Sequence, residues 1–242
     1  YRIDGNYSHG RPPDRVEFTN DLKEDLSRRD FTINAMAYNS NGLVDYFEGI
    51  KDIKDGIIRF VGNSTTRIQE DSLRMLRACR FASQLGFEMD DEAIESICNN
   101  CNLIKNVSVE RIQMELNKIL IANNLDGLYH IIQNGIGNII VPELIKTFKC
   151  NQNNPYHIYN TGQHILTMLF YDIGKPLTKT TDDNRIDHFY GHAEKSAEMA
   201  RDIMKRLKYD NATIEKVCLL IKYHDTRINS DKTIKKLLNK LG

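Results

Sequence analysis

The chain has 242 residues, 40% hydrophobic and 27% charged, a globular balance with room for one large or two modest domains. Its 33 basic and 33 acidic residues cancel, which excludes a global field that draws nucleic acid and leaves RNA contact to local patches. No apolar run reaches the roughly 20 residues that cross a bilayer, no charged-then-apolar leader opens the chain, and five cysteines without framework spacing exclude a disulfide scaffold. A reduced, cytoplasmic protein with no membrane partner is expected.

In chain order, residues 1–18 are short and turn-rich, broken at Asp4-Gly5-Asn6 and Gly10-Arg11-Pro12-Pro13-Asp14, and read as strand and loop. Ala35-Met36-Ala37-Tyr38 and Leu43-Val44-Asp45-Tyr46-Phe47 flank Asn39-Ser40-Asn41-Gly42, the pattern of two strands and a tight turn. Residues 57–61 predict another strand. After Gly62 the apolar period becomes helical, predicting helices over residues 69–85, 91–98, 109–122, 125–133, 192–207, 214–223 and 232–241. Residues 150–155, polar and ending in Pro155, read as a linker. The fold class is α+β and predominantly α-helical, a small β-containing head before a helical body. Residues 201–242 carry eleven Lys or Arg against five Asp or Glu, which reads more simply as a solvated helical face than as an RNA patch. Cys98-x-x-Cys101 has no partner pair at zinc spacing and reads as structural.

Two constellations carry chemistry. In Arg28-Arg29-Asp30-Phe31-Thr32-Ile33-Asn34, adjacent guanidinium forks suit phosphate oxygens and the carboxylate can accept from ribose hydroxyls; an exposed ion pair is the plainer reading. In Glu70-Asp71-Ser72-Leu73-Arg74-Met75-Leu76-Arg77-Ala78-Cys79-Arg80-Phe81, a continuous helix puts Asp71, Arg74 and Arg77 on one face and turns Arg80 half a turn from Asp71. Beside each other, a carboxylate can accept from the exocyclic amino group of cytosine or adenine while a guanidinium donates to the ring nitrogen, selecting C and A over U and G. An Asp71–Arg74 ion pair within the helix is equally compatible with the spacing.

Residues 28–37 and 70–81, with Glu110-Arg111-Ile112-Gln113-Met114-Glu115-Leu116, resemble the class II tRNA nucleotidyltransferase and poly(A) polymerase family. The likeness is strong over residues 1–120. It implies a partial nucleotidyltransferase palm (1–62), a helical neck binding nucleotide and RNA (63–150) and an HD-like helical domain (151–242). It implies that Arg29 and Asp30 lie by triphosphate and sugar, that Asp71 and Arg74 template CTP and ATP, and that Arg77 and Arg80 assist. The implied reaction is attack by the 3′ hydroxyl of a tRNA end on an α-phosphate, with Mg²⁺ as cofactor. CCA addition is expected first, with a poly(A) polymerase or a partial CC- or A-adding enzyme as alternatives.

The family's catalytic Asp-x-Asp is not found before Arg28, so no catalytic residue is assigned; an upstream region is expected to be missing and this stretch alone to be inactive. The HD-like pattern also departs: Tyr171-Asp172 stands where the resemblance implies His-Asp, and only seven positions separate His164 from Tyr171. His164, Asp172 and His192 form a candidate metal remnant, His224-Asp225 belongs to the same pattern, and His188 and His192 could share a helix face. A structural bundle is favoured over a working centre, a phenol being a poor substitute for imidazole. The rivals to nucleotide addition are a metal-dependent phosphohydrolase and a non-catalytic RNA-binding module.

Overall fold

The computed structural model describes residues 2–4, 16–18, 20–122, 124–148, 165–226 and 230–241, and divides the chain into two units, Tyr1–Ile139 and Ile140–Gly242. The expected linker at 150–155 and His164 lie outside the described residues.

In the first unit, β1 (Arg2–Asp4) pairs antiparallel with β2 (Val16–Phe18), and α1 (Leu22–Ser27) starts where the Asp21 carboxylate accepts from the Lys23 amide. The expected hairpin forms from β3 (Met36–Asn39) and β4 (Gly42–Asp45), with Asn39 opposite Gly42. Gly42 has φ 113°, in the region glycine enters without a Cβ clash. Next come α2 (Gly49–Asp55) and β5 (Ile57–Ile58), shorter than expected because Phe60 leaves the ladder to bridge Phe31.

Helical text then follows with one break. Asn63 caps α3 (Ser64–Glu70) by accepting from the Thr66 amide, and α4 covers Arg74–Leu85. Between them Asp71 is extended, φ −143° and ψ 101°, so the single helix expected over 69–85 is two. The cause is local: the Asp71 carboxylate accepts from the Leu73 amide at 3.2 Å and the Asp71 carbonyl accepts from the Arg74 amide at 3.0 Å, which restarts the helix.

Parallel to β5 runs β6 (Glu88–Met89), followed by α5 (Asp91–Asn100), α6 (Val109–Leu120), α7 (Asp126–Gln133) and the short α8 (Gly137–Ile140). The centre is α4, whose Met75, Leu76, Ala78, Cys79 and Ala82 are fully buried. Gly127 lets α7 press on it: the Gly127 amide donates to Ser83 Oγ at 2.7 Å, and a Cβ there would lie 2.8 Å from the Cys79 carbonyl carbon. Phe31, also fully buried, packs between a tilted Phe60 and an edge-on Phe81 at centroid distances of 5.0 and 5.5 Å and ties the head segment to α4.

The second unit contains α9 (Pro142–Phe148), α10 (Ile165–Phe170), α11 (Lys175–Thr178), a small hairpin of β7 (Thr180–Thr181) with β8 (Asp187–His188), then α12 (His192–Arg206), α13 (Asn211–Tyr223) and α14 (Asp231–Leu241). His188 lies on β8, so it shares no helix face with His192; two residues at Tyr190-Gly191 turn the chain between them. Two of the basic residues in the 201–242 run are neutralised by ion pairs, Arg201 with Glu215 and Arg206 with Glu143. The fold is α+β and mostly helical, with each sheet among the described residues only two-stranded. No described helix is long and apolar enough to cross a membrane.

Candidate functional site

A cavity of about 440 Å³ in the first unit is lined by Arg29, Asp30, Asn34, Asp71, Leu73, Arg74, Arg77 and Arg111. Five of the six residues expected to bind nucleotide therefore meet in one place. They come from two segments, the turn after α1 and the break between α3 and α4 with the first turn of α4, rather than from one helix face, and the first turn of α6 adds Arg111. Four guanidinium groups against two carboxylates make the lining positive, which suits a polyphosphate.

Each charge has a definite partner. Asp30 is only 8% exposed. Its Oδ1 accepts from the Phe31 amide at 3.0 Å and Asn34 Nδ2 at 3.3 Å, and its Oδ2 from Arg77 Nε at 2.7 Å and from Arg77 Nη2. Arg29 reaches Asp25 at 3.5 Å and is 45% exposed along its side chain, the most accessible of these cations. Buried Arg74 donates through Nη1 to Glu70 at 2.7 Å and to the Arg67 carbonyl at 3.0 Å, and through Nη2 to the Arg28 carbonyl at 3.0 Å. The expected alternative of an Asp71–Arg74 pair is therefore not what forms: Asp71 Oδ2 accepts from Arg111 Nη2 at 2.7 Å.

Arg80 is not among the lining residues. It is 8% exposed, its guanidinium lies 4.3 Å from the Phe81 ring centroid, and it pairs at 3.1 Å with Glu115 on α6. Burial lowers its pKa, offset by the Glu115 charge. This buried pair joins α4 to α6 behind the cavity. Sequence reasoning missed Arg111 and Asn34 as lining residues. Arg111 lies in a stretch already recognised, but nothing local says that its side chain crosses to Asp71, 40 residues away.

The second unit holds a cavity of about 670 Å³ around Tyr171, Asp172, Lys175, His192 and His224. His192 Nε2 lies 3.5 Å and His224 Nε2 3.8 Å from Asp172 Oδ1, and the two Nε2 atoms are 3.3 Å apart. His192 Nδ1 is 2.9 Å from the Phe189 carbonyl and His224 Nδ1 2.6 Å from the Ile221 carbonyl. A carbonyl only accepts, so both Nδ1 atoms donate, and in the neutral rings both Nε2 lone pairs face the carboxylate. Asp172 Oδ1 is buried and has no hydrogen-bond partner, while Oδ2 accepts from Lys175 at 2.8 Å. Three electron-pair donors aimed at one point fit a divalent transition cation with two His and one carboxylate. Among the described residues His224 is the third member of this cluster, beside the expected Asp172 and His192.

Gly174 sets the position of Asp172. Its amide donates to Ser196 Oγ at 2.9 Å, and a Cβ would come within 2.7 Å of the Ser196 amide nitrogen, so only glycine lets this turn lie against α12. Burial, followed by the neighbouring Asp172 carboxylate, raises the Tyr171 phenol pKa. At neutral pH the phenol is a hydrogen-bond donor where the resemblance implies an imidazole.

Three family models match in succession: the poly A polymerase head domain over residues 1–59, the probable RNA and SrmB-binding site of polymerase A over 86–147, and the HD domain over 165–240. In this order the three matches resemble the tRNA nucleotidyltransferase and poly(A) polymerase family. A CCA-adding enzyme of Ligilactobacillus salivarius is 46% identical over 125 residues, covering 51% of this chain and 31% of that protein. One of Lactococcus lactis is 36% identical over 169 residues, covering 67% and 42%. The chain thus spans about a third of the length of such curated relatives. Among solved structures of the family, the Bacillus stearothermophilus CCA-adding enzyme in complex with CTP superposes with a TM-score of 0.62 at 26% identity, covering 93% of this chain and 54% of that one. The Thermotoga maritima enzyme complexed with tRNA shares the fold at a TM-score of 0.54 and 23% identity, covering 91% and 56%.

Proposed function

We propose that the protein is a nucleotidyltransferase that builds CCA on tRNA 3′ ends from CTP and ATP, with side chains in place of a nucleic-acid template. The carrying observation is that Arg29, Asp30, Asp71, Arg74 and Arg77 line one positively charged cavity. Arg29 and Arg77 are the phosphate-facing cations in this reading, Asp30 orients Arg77 and faces the sugar, and Asp71 with Arg74 reads the base edge. Arg80 takes no part at the nucleotide and serves the α4–α6 packing. Palm, neck and HD-like parts divide near Gly62 and Cys150, and Mg²⁺ is the proposed cofactor on the strength of the family's chemistry.

The test supplies the whole protein with Mg²⁺, a tRNA lacking its 3′ CCA, and each labelled nucleotide singly and together. Addition of C, C and then A, followed by arrest, is expected. Runs of A alone would assign a poly(A) polymerase, a stop after CC or addition of A only would assign a partial enzyme, and no incorporation would sink the proposal.

A second activity is favoured by the Asp172, His192 and His224 cluster, metal-dependent phosphoester hydrolysis in the HD-like unit. A bound divalent cation would supply Lewis-acid polarisation of a phosphoryl oxygen. Lys175 would add charge beside it, and His192 and His224 are held in the ligating tautomer by their carbonyl partners. Hydrolysis of bis(p-nitrophenyl) phosphate with Mn²⁺ or Zn²⁺, rising in Tyr171→His, is the expected result. No turnover by either form, with metal bound, leaves a purely structural bundle.

A further inference from the structure

We propose that Cys98 and Cys101 form a dithiol modification site, closed to an intramolecular disulfide by exchange with a small-molecule disulfide of the glutathione class. The pair stands where α5 gives way to a 3₁₀ turn over Cys101–Asn106. Cys98 is exposed and Cys101 half-buried, whereas Cys79 and Cys218 are buried. Residues three apart on a helix hold their Cβ atoms about 5–6 Å apart and a disulfide needs about 3.5–4.5 Å, so closure asks for a shift of about 1–2 Å. The 3₁₀ turn favours that shift, because its backbone brings side chains three apart into line.

The facing segment after α7, Asn134-Gly135, is shaped around both sulfurs. Cys98 Sγ donates to Asn134 Oδ1 at 3.5 Å, and Asn134, 4% exposed, has its Nδ2 donor buried without a partner. A half-turn of that amide about its terminal torsion swings the spare donor onto Cys98, where it holds a thiolate. Gly135, with φ 81°, lies against Cys101: a Cβ there would stand 3.4 Å from Cys101 Sγ, so glycine leaves this sulfur room to swing toward Cys98. Partial burial and then the neighbouring Cys101 raise the Cys98 thiol above its usual 9.0. Attack is slowed by this, but a disulfide whose thiolates are poorly stabilised resists reduction once formed. Exposure makes Cys98 the attacking residue. Its thiolate bonds to one sulfur of the small disulfide and releases the other as a thiolate. The Cys101 thiolate then displaces the second from the mixed disulfide. The two released thiolates take up the protons that the cysteines lose, and the electron pair lost by Cys98 and Cys101 reduces the small disulfide.

The experiment treats the full-length protein with oxidised glutathione, blocks the remaining thiols and weighs the tryptic peptide Phe81–Lys105, which holds these two cysteines and no other. In the wild type this peptide is expected to lose both blocking sites and to carry no glutathione. Cys101→Ser should halt at a stable glutathione adduct on Cys98, formed within about twofold of the wild-type rate, because the first attack does not use Cys101. Cys98→Ser should react at least about tenfold more slowly, the half-buried Cys101 being the poorer first attacker. A wild type arrested as the adduct on Cys98, a bond from either residue to another cysteine, or no reaction at all would overturn the proposal.

Discussion

Replacing Asp172 by Asn keeps the shape of the side chain but removes the single anionic donor from the triad of Asp172, His192 and His224. If that triad holds a divalent cation, metal at 100 times its Kd stabilises the folded protein by about 2.7 kcal/mol. For a unit of roughly 100 residues, where 1 kcal/mol moves Tm by about 4–8 °C, the rise is roughly 10–20 °C. Loss of a direct ligand weakens affinity by at least the ~100-fold seen at the upper end for outer partners. The same metal concentration then equals about one Kd and stabilises by only ~0.4 kcal/mol, a rise of about 2–3 °C. The assay is calorimetric unfolding of wild type and Asp172→Asn after chelation, with Zn²⁺ or Mn²⁺ added back singly. A wild-type Tm indifferent to metal, or an equal rise in the variant, would refute the argument from three converging lone pairs.

Other outcomes follow from packing and charge. Arg80→Met should destabilise by about 1–3 kcal/mol because Glu115, 4% exposed, keeps only the Lys118 ammonium at 3.1 Å as a charged partner, and Arg80→Met with Glu115→Leu should cost less than the single change, read from urea midpoints. Gly127→Ala should cost about 1–3 kcal/mol, since the new methyl meets Ser83 Oγ at 2.6 Å; an unchanged midpoint would show that α7 is free to shift. The two Arg206 hydrogen bonds, each 2.8 Å, hold Glu143 below its usual carboxylate value of 4.5. A depressed carboxylate contributes stability above its unfolded pKa and loses it as pH falls through the folded one. The partly exposed pair should therefore be worth at most about 1 kcal/mol at neutral pH. The stability gap between wild type and Arg206→Met should close below pH 4.5.

Local chemistry alone determined much of this protein. The β3–β4 hairpin, with Gly42 at its positive φ, and the helices from α5 onward that carry regular apolar stripes follow from short-range pattern, because turn residues and burial periodicity act within a few positions. The likeness of residues 28–37 and 70–81 to nucleotidyltransferases was legible for the same reason. The break at Asp71 left a trace, since Asp-Ser is a capping pair, but Leu73 and Leu76 keep the helical phase across it and conceal the interruption. Tertiary structure decided what local spacing cannot encode. Asp71 found Arg111 rather than Arg74, Arg80 turned away to Glu115, and His224 joined Asp172 and His192. Each of these is a contact between segments far apart in the chain, set by how α4 packs on α6 and how α13 packs on α12, and the physical reason is that side-chain charges pair with whatever the packed backbones bring within reach.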